Sequence, residues 1–169
     1  MQKIEKTELV DESGTSQFVR SELFARTFRE GMSLVENTAN YLDGEGRDAS
    51  KELSRHGALA YAGASMRLTT QLMQIASWLL VLRAVREGDI DANEALEPKY
   101  RLPQKERGRP DKLEGELPNE LTTLIDTTEQ LYDRIGRLDA DLFGAQDEQK
   151  DRGDAASQQR ALFDAFDRG

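Results

Sequence analysis

The chain has 169 residues, one third of them charged, a net charge of -9 and no cysteine. That length suits one domain of ordinary size, and the lack of thiols excludes disulfides and cysteine-ligated zinc. The acidic excess argues against general binding to nucleic acid, which needs clustered Lys and Arg to neutralise phosphates. A mean hydropathy of -0.69 predicts that some of the chain is too polar to enter a core.

The first 17 residues, opening "MQKIEKTELVDESG", read as a flexible N-terminal arm. Acidic residues run through them and no apolar stretch of signal-peptide type is present, so a cytoplasmic protein is expected. A first helix is predicted over about residues 21–43. Ser21 is its N-cap, Gly44 follows its last turn, and Phe24, Phe28, Met32, Val35, Ala39 and Leu42 form its apolar stripe.

A second, very long helix is predicted over about residues 48–87, from a cap at Asp48 or Ser50 to a stop at Gly88. Leu72, Ile75, Leu79 and Leu82 belong to its heptad stripe, while Met73, Trp78, Val81 and Val85 add apolar surface beyond it. Between Trp78 and Leu82 the helix is apolar all round, which surface helices avoid. A bundle covers one broad face of such a helix, and a second copy of the chain is expected to cover the rest. Leu72, Ile75, Trp78, Leu79, Val81, Leu82 and Val85 are therefore the predicted core and dimer interface. The uncharged run from Leu68 to Leu82 is too short and too rich in Thr, Gln and Ser for a membrane span. In the first half of this helix Gly57, Ala60, Gly63 and Ala64 are small enough for another backbone to approach.

A helical turn over Asp91 to Leu96, capped by Asp91, leads into a mobile connection at 97–116 with Pro and Gly punctuation. The third helix is predicted over about residues 118–143, with Pro118 at its start and Gly144 at its end. Leu117, Leu121, Leu124, Thr128, Leu131, Ile135, Leu138 and Leu142 give it a single heptad seam. Residues 145–169 read as a flexible C-terminal tail. Within it Leu162, Phe163 and Phe166 at helical spacing, beside Asp164 and Asp167, are a candidate docking element for a partner. The fold class is all-α: an antiparallel three-helix bundle with disordered tails.

Chemistry finds little footing. His56 is the only histidine, and with Glu52 one turn earlier it falls short of the ligand set that helical metal sites use. Ser54, Ser65 and Ser77 lie in predicted helix interiors without a base, and Asp139 and Asp141 at spacing two point apart. No catalytic, cofactor or metal residue is assigned. Lys105, Arg107, Arg109 and Lys112 in the connection are offset by neighbouring acids and read as solvated linker.

Three stretches carry a family resemblance: "GMSLVENTANYLDGEGR" (31 to 47), "SKELSR" (50 to 55) and "ASMRLTTQLMQIASWLLVLRAVREG" (64 to 88). Together they resemble the RcdA family of alphaproteobacteria, helical proteins named as regulators of CtrA degradation, over about residues 18 to 102. The resemblance implies a homodimeric three-helix bundle without enzymatic activity that acts as an adaptor for the ClpXP protease. It further implies binding to ClpX primed by a CpdR-like response regulator, delivery of cargo directly or through a PopA-like adaptor, and concentration at a cell pole. It also implies contact between the protease and the tail from Ala145 to Gly169. The physical reading alone equally accommodates a dimeric helical scaffold or regulator that binds a response regulator or polar partner outside proteolysis.

Overall fold

The computed structural model describes residues 14–104 and 116–166, with side chains of the last helix described as far as Gly144. Among these residues every regular element is helical. A short helix α1 (Gly14–Val19) precedes α2 (Glu22–Asp43), and α3 (Glu45–Lys51) precedes the long α4 (Arg55–Glu87). Two 3₁₀ turns, Glu94–Leu96 and Pro98–Tyr100, follow before α5 (Asn119–Phe166).

Local chemistry explains most of these boundaries. The Ser21 hydroxyl accepts the Phe24 amide at 3.2 Å and so satisfies one of the free donors at the start of α2. Gly88 closes α4 in the left-handed region at φ 81, a conformation that costs a residue without Cβ nothing. Its turn sends the Asp89 amide back to the Ala84 carbonyl at 2.9 Å.

Residues 1–13 and 105–115 lie outside the described residues, and with them most of the expected N-terminal arm and mobile connection. The arm does not extend to residue 17: α1 begins at Gly14, with Thr15 and Val19 buried. Phe18 anchors it by packing edge-on against Phe24 and at a tilt against Trp78.

The expected helix over 48–87 is interrupted. Residues from Glu45 to Lys51 form α3, and α4 starts afresh after Ser54, whose hydroxyl accepts the Gly57 amide at 3.1 Å. Ser50, by contrast, turns its hydroxyl onto the Arg47 carbonyl. Ser54 therefore supplies the cap, and α4 is shortened to 33 residues, about 50 Å.

The third helix runs past Gly144 to Phe166, so the expected tail begins as a continuation of α5. A mid-helix glycine costs only about 1 kcal/mol relative to alanine. The Gln, Glu, Lys, Arg and Ala residues that follow favour helix, and no proline intervenes. The connection is also partly ordered, since Leu102 is buried on the bundle and Tyr132 donates its hydroxyl to the Pro103 carbonyl.

α2 runs antiparallel to both other long helices, as predicted. Arg134 of α5 pairs with Glu30, and Gly31 meets Leu79, Ile75 and Leu131. α4 and α5 run parallel to each other instead. The start of α4 at Gly57 approaches Glu116 just ahead of α5, whereas Trp78 meets Asp139 two dozen residues further along. Parallel neighbours require a connection that returns along the whole bundle, which is the physical reason for some thirty residues between α4 and α5.

The core gathers Phe24 and Leu34 from α2, Leu68, Leu72, Ile75, Leu79 and Leu82 from α4, and Leu121, Leu131, Ile135 and Phe143 from α5. Two predicted stripes are displaced in it. On α2 the buried line is Phe24, Thr27, Gly31, Leu34, Thr38 and Tyr41, while Ala39 is exposed. Small residues occupy the innermost positions because α4 comes close: a Cβ on Gly31 would lie 2.4 Å from a Leu79 methyl carbon. On α5 the seam drifts from Leu138 and Leu142 to Asp139 and Phe143, as a 3.6-residue helix does against a seven-residue repeat.

Candidate functional site

Of the seven predicted interface residues, Leu72, Ile75, Trp78, Leu79 and Leu82 are each 5% exposed or less and pack inside the chain's own bundle. Val81 and Val85 are half-buried. None of the seven forms an open face on the single chain. Trp78 is turned inward because its indole N–H has a buried acceptor, Asp139 Oδ1 at 2.8 Å. The predicted docking residues Leu162, Phe163 and Phe166 have side chains outside the described residues.

The open apolar face of α4 lies elsewhere. Leu59, Met66, Met73 and Leu80 recur every seven residues and are 70%, 72%, 68% and 50% exposed. Seven residues are nearly two helical turns, so the four side chains line up along about 32 Å of one face. Ala62, Thr69, Thr70 and Ser77, also exposed, lie beside the line and leave room for a partner backbone. Exposed apolar side chains in a continuous row mark interaction surfaces more reliably than scattered ones. Sequence periodicity held the signal in the strict 59, 66, 73, 80 spacing, but the stronger neighbouring stripe of leucines masked it.

This row makes α4 apolar enough to meet the composition and length criteria for a membrane span, with mean hydropathy 1.3 in its best window. The bundle argues for water as its surroundings. α2 and α5 cover the other side of α4, and their own outer faces carry exposed Arg29, Glu22, Arg134 and Glu30.

A second feature borders the row. Asp139 is buried, 6% exposed, and gathers four donors: Trp78 Nε1 at 2.8 Å, Arg101 Nε and Nη2 at 3.1 and 3.0 Å, and the Leu102 amide at 3.4 Å. The Arg101 guanidinium also lies 4.9 Å over the Phe143 ring. A carboxylate reading two prongs of a guanidinium is a directional, charge-assisted contact. It fastens the segment 97–104 to α4 and α5. Beside it a groove of about 350 Å³ opens between Thr70, Met73 and Ser77 of α4 and Lys99, Tyr100 and Pro103 of the fastened segment.

Among the described residues, burial perturbs two tyrosines. Burial raises Tyr41 above its ordinary value of 10.0, assisted by Tyr61, Glu120 and Glu45. Burial likewise raises Tyr132, with Asp133 and Asp139 adding to it. No cluster of three or more His, Asp or Glu suited to a metal ion occurs among the described residues. His56 is exposed in the first turn of α4, and Glu52 lies in the break before it, so the two share no helix face.

The family described as "Protein of unknown function (DUF1465)" matches residues 15–166. The chain belongs to the DUF1465 family. Its fold is similar to the crystal structure of RcdA from Caulobacter crescentus CB15, with a TM-score of 0.63 and 51% sequence identity. The similarity covers 76% of this chain and 97% of that one. This DUF1465 member is thus a homologue of RcdA with an all-helical fold. No curated protein matches the chain.

Proposed function

We propose that this protein is a non-catalytic adaptor that tethers cell-cycle regulatory proteins to the ClpXP protease and promotes regulated degradation of a CtrA-type response regulator. The observation that carries the reading is the 51% identity to RcdA across nearly all of that chain. One structural feature supports it: a rigid bundle presents an apolar row that the chain itself leaves uncovered. Tethering needs little more than a stable body with binding faces that raise the local concentration of cargo at the protease. By kinship its partners are ClpX with a CpdR-like response regulator, a PopA-like adaptor and protein cargo, in the cytoplasm with concentration at a cell pole.

The same row supports a homodimer through α4. A two-fold axis between antiparallel α4 helices sets Leu59 of one copy opposite Leu80 of the other, and Met66 opposite Met73, so the surface is complementary to itself. The α5 continuation with Leu162, Phe163 and Phe166 serves as an arm toward the protease. Binding of fluorescently labelled protein to ClpX, with and without the primed response regulator, tests the adaptor reading. Saturable binding that depends on the response regulator is expected. Binding to the response regulator alone, with none to ClpX, would favour a scaffold outside proteolysis.

A further inference from the structure

One end of the bundle carries a basic groove on a chain whose net charge is -9. Phe24, Ala25 and Phe28 of α2 form its floor, and Arg29, Arg83, Arg86 and the single acid Glu87 its walls, around about 320 Å³. The Arg83 guanidinium lies 5.5 Å over the Phe28 ring. Arg29 pairs with Glu22 and Arg83 with Glu87, all four side chains at least half exposed. Exposed pairs of this kind contribute little and exchange readily. Arg86 makes no ion pair among the described residues. An apolar floor ringed by guanidiniums selects an acidic segment bearing an aliphatic side chain.

The chain itself holds such a segment. Residues 7–13 read "TELVDES", with Leu9 and Val10 set between Glu8 and the Asp11–Glu12 pair. The segment leads directly into α1, whose Phe18 ring packs 5.7 Å from the ring of Phe24. Phe24 in turn packs 6.0 Å from Phe28. The chain therefore enters the fold beside the floor of the groove. Leu9 stands five residues ahead of Gly14 and reaches at most about 17 Å from it when extended, against about 6 Å along α1 from Gly14 to Phe18 and 5.7 Å from the Phe18 ring to that of Phe24, so reach does not limit the contact. A tether of this length holds its end at millimolar local concentration.

We propose that residues 7–13 dock in cis into this groove, with Leu9 and Val10 on the Phe24 and Phe28 floor and the carboxylates of Glu8, Asp11 and Glu12 against Arg29, Arg83 and Arg86. The N-terminus is then an internal competitor: an acidic, aliphatic segment of a partner gains this site only by displacing it.

The absence of cysteine makes the test clean. Thr7→Cys in the full chain gives a single attachment point for a nitroxide, whose broadening of backbone amide signals maps its surroundings by NMR. Broadening concentrated at residues 24–29 and 83–87 is expected, lost at about 0.5 M salt as screening shortens and lost in the Glu8→Lys, Asp11→Lys variant, which leaves the bundle untouched. An Arg29→Glu, Arg86→Glu variant with unchanged thermal melting should lose it too. Uniform weak broadening, or broadening centred on the Leu59 to Leu80 row, would overturn the proposal. So would broadening that appears only when nitroxide-labelled and isotope-labelled copies are mixed, since that contact is between chains.

Discussion

Removing the carboxylate of Asp139 should unlatch the connection from the bundle. In Asp139→Ala three groups lose their acceptor at once: the Trp78 indole, the Arg101 guanidinium and the Leu102 amide. The dominant loss is electrostatic, because the Arg101 side chain is only 18% exposed and the Asp139 side chain 9%. Deleting one member of a buried pair costs about 3 to 5 kcal/mol, mostly because the other charge is stranded. Arg101 is close enough to the surface to swing partly into water, so a cost of about 2 to 4 kcal/mol is expected. Urea unfolding followed by fluorescence measures it directly, since Trp78 is the only tryptophan and touches the substituted carboxylate. Asp139→Ala combined with Arg101→Met removes both charges and should recover much of the loss, giving a coupling of about 2 kcal/mol or more in a double-mutant cycle. An Asp139→Ala cost below about 1 kcal/mol, or a cost unchanged in the Arg101→Met background, would show that the pair does not hold the segment.

Three further outcomes follow from the packing. Met66→Asp with Met73→Asp should give a folded monomer by light scattering, with helix content preserved, whereas Leu79→Asp at a fully buried site should abolish folding; a dimer that survives the first change would move the interface away from the α4 row. Thr128→Val removes a buried hydroxyl that has no hydrogen-bond partner among the described residues, and should raise stability by about 1 kcal/mol in urea titration. Tyr41 and Tyr132 both have folded-state values raised above 10.0. Below pH 10 they are protonated in both states, so their contribution is fully present there. Above it the unfolded chain ionises first, and stability falls as pH rises from 10 through the raised folded values. Tyr41→Phe should flatten that alkaline slope in melts taken between pH 9 and 11, and an unaltered slope would contradict the assignment.

How far the fold was legible in sequence differs residue by residue. Ser21, Gly44 and Gly88 mark helix ends because caps are local chemistry, decided by a hydroxyl or a missing Cβ within a few residues. Leu72, Ile75, Leu79 and Leu82 were identifiable as core because they recur on one stripe. The break at Glu52 to Ser54 was not, since Asp48, Ser50 and Ser54 are all competent caps and only packing chooses among them. Direction around α4 was also hidden: where Trp78 to Leu82 is apolar on every side, periodicity holds no information about which side faces inward. Trp78 is turned inward by Asp139, 61 residues away, and a buried carboxylate looks like a surface residue until its donors converge. For the same reason the apolar row at Leu59, Met66, Met73 and Leu80 becomes visible only once the core side of α4 has been subtracted. The parallel arrangement of α4 and α5 had a signal in the length of the connection between them, which a short antiparallel turn would not need.

As an adaptor, this RcdA homologue accelerates proteolysis without performing chemistry. The most direct test of this role is the rate at which purified ClpXP degrades a CtrA-type response regulator, with the CpdR-like and PopA-like partners present, as this protein is titrated in. A saturable rise in rate is expected, which then declines at excess adaptor, when tethered protease and tethered cargo sit on separate molecules. A rate that is the same with and without this protein, while it remains folded and bound to its partners, would rule out a role as adaptor.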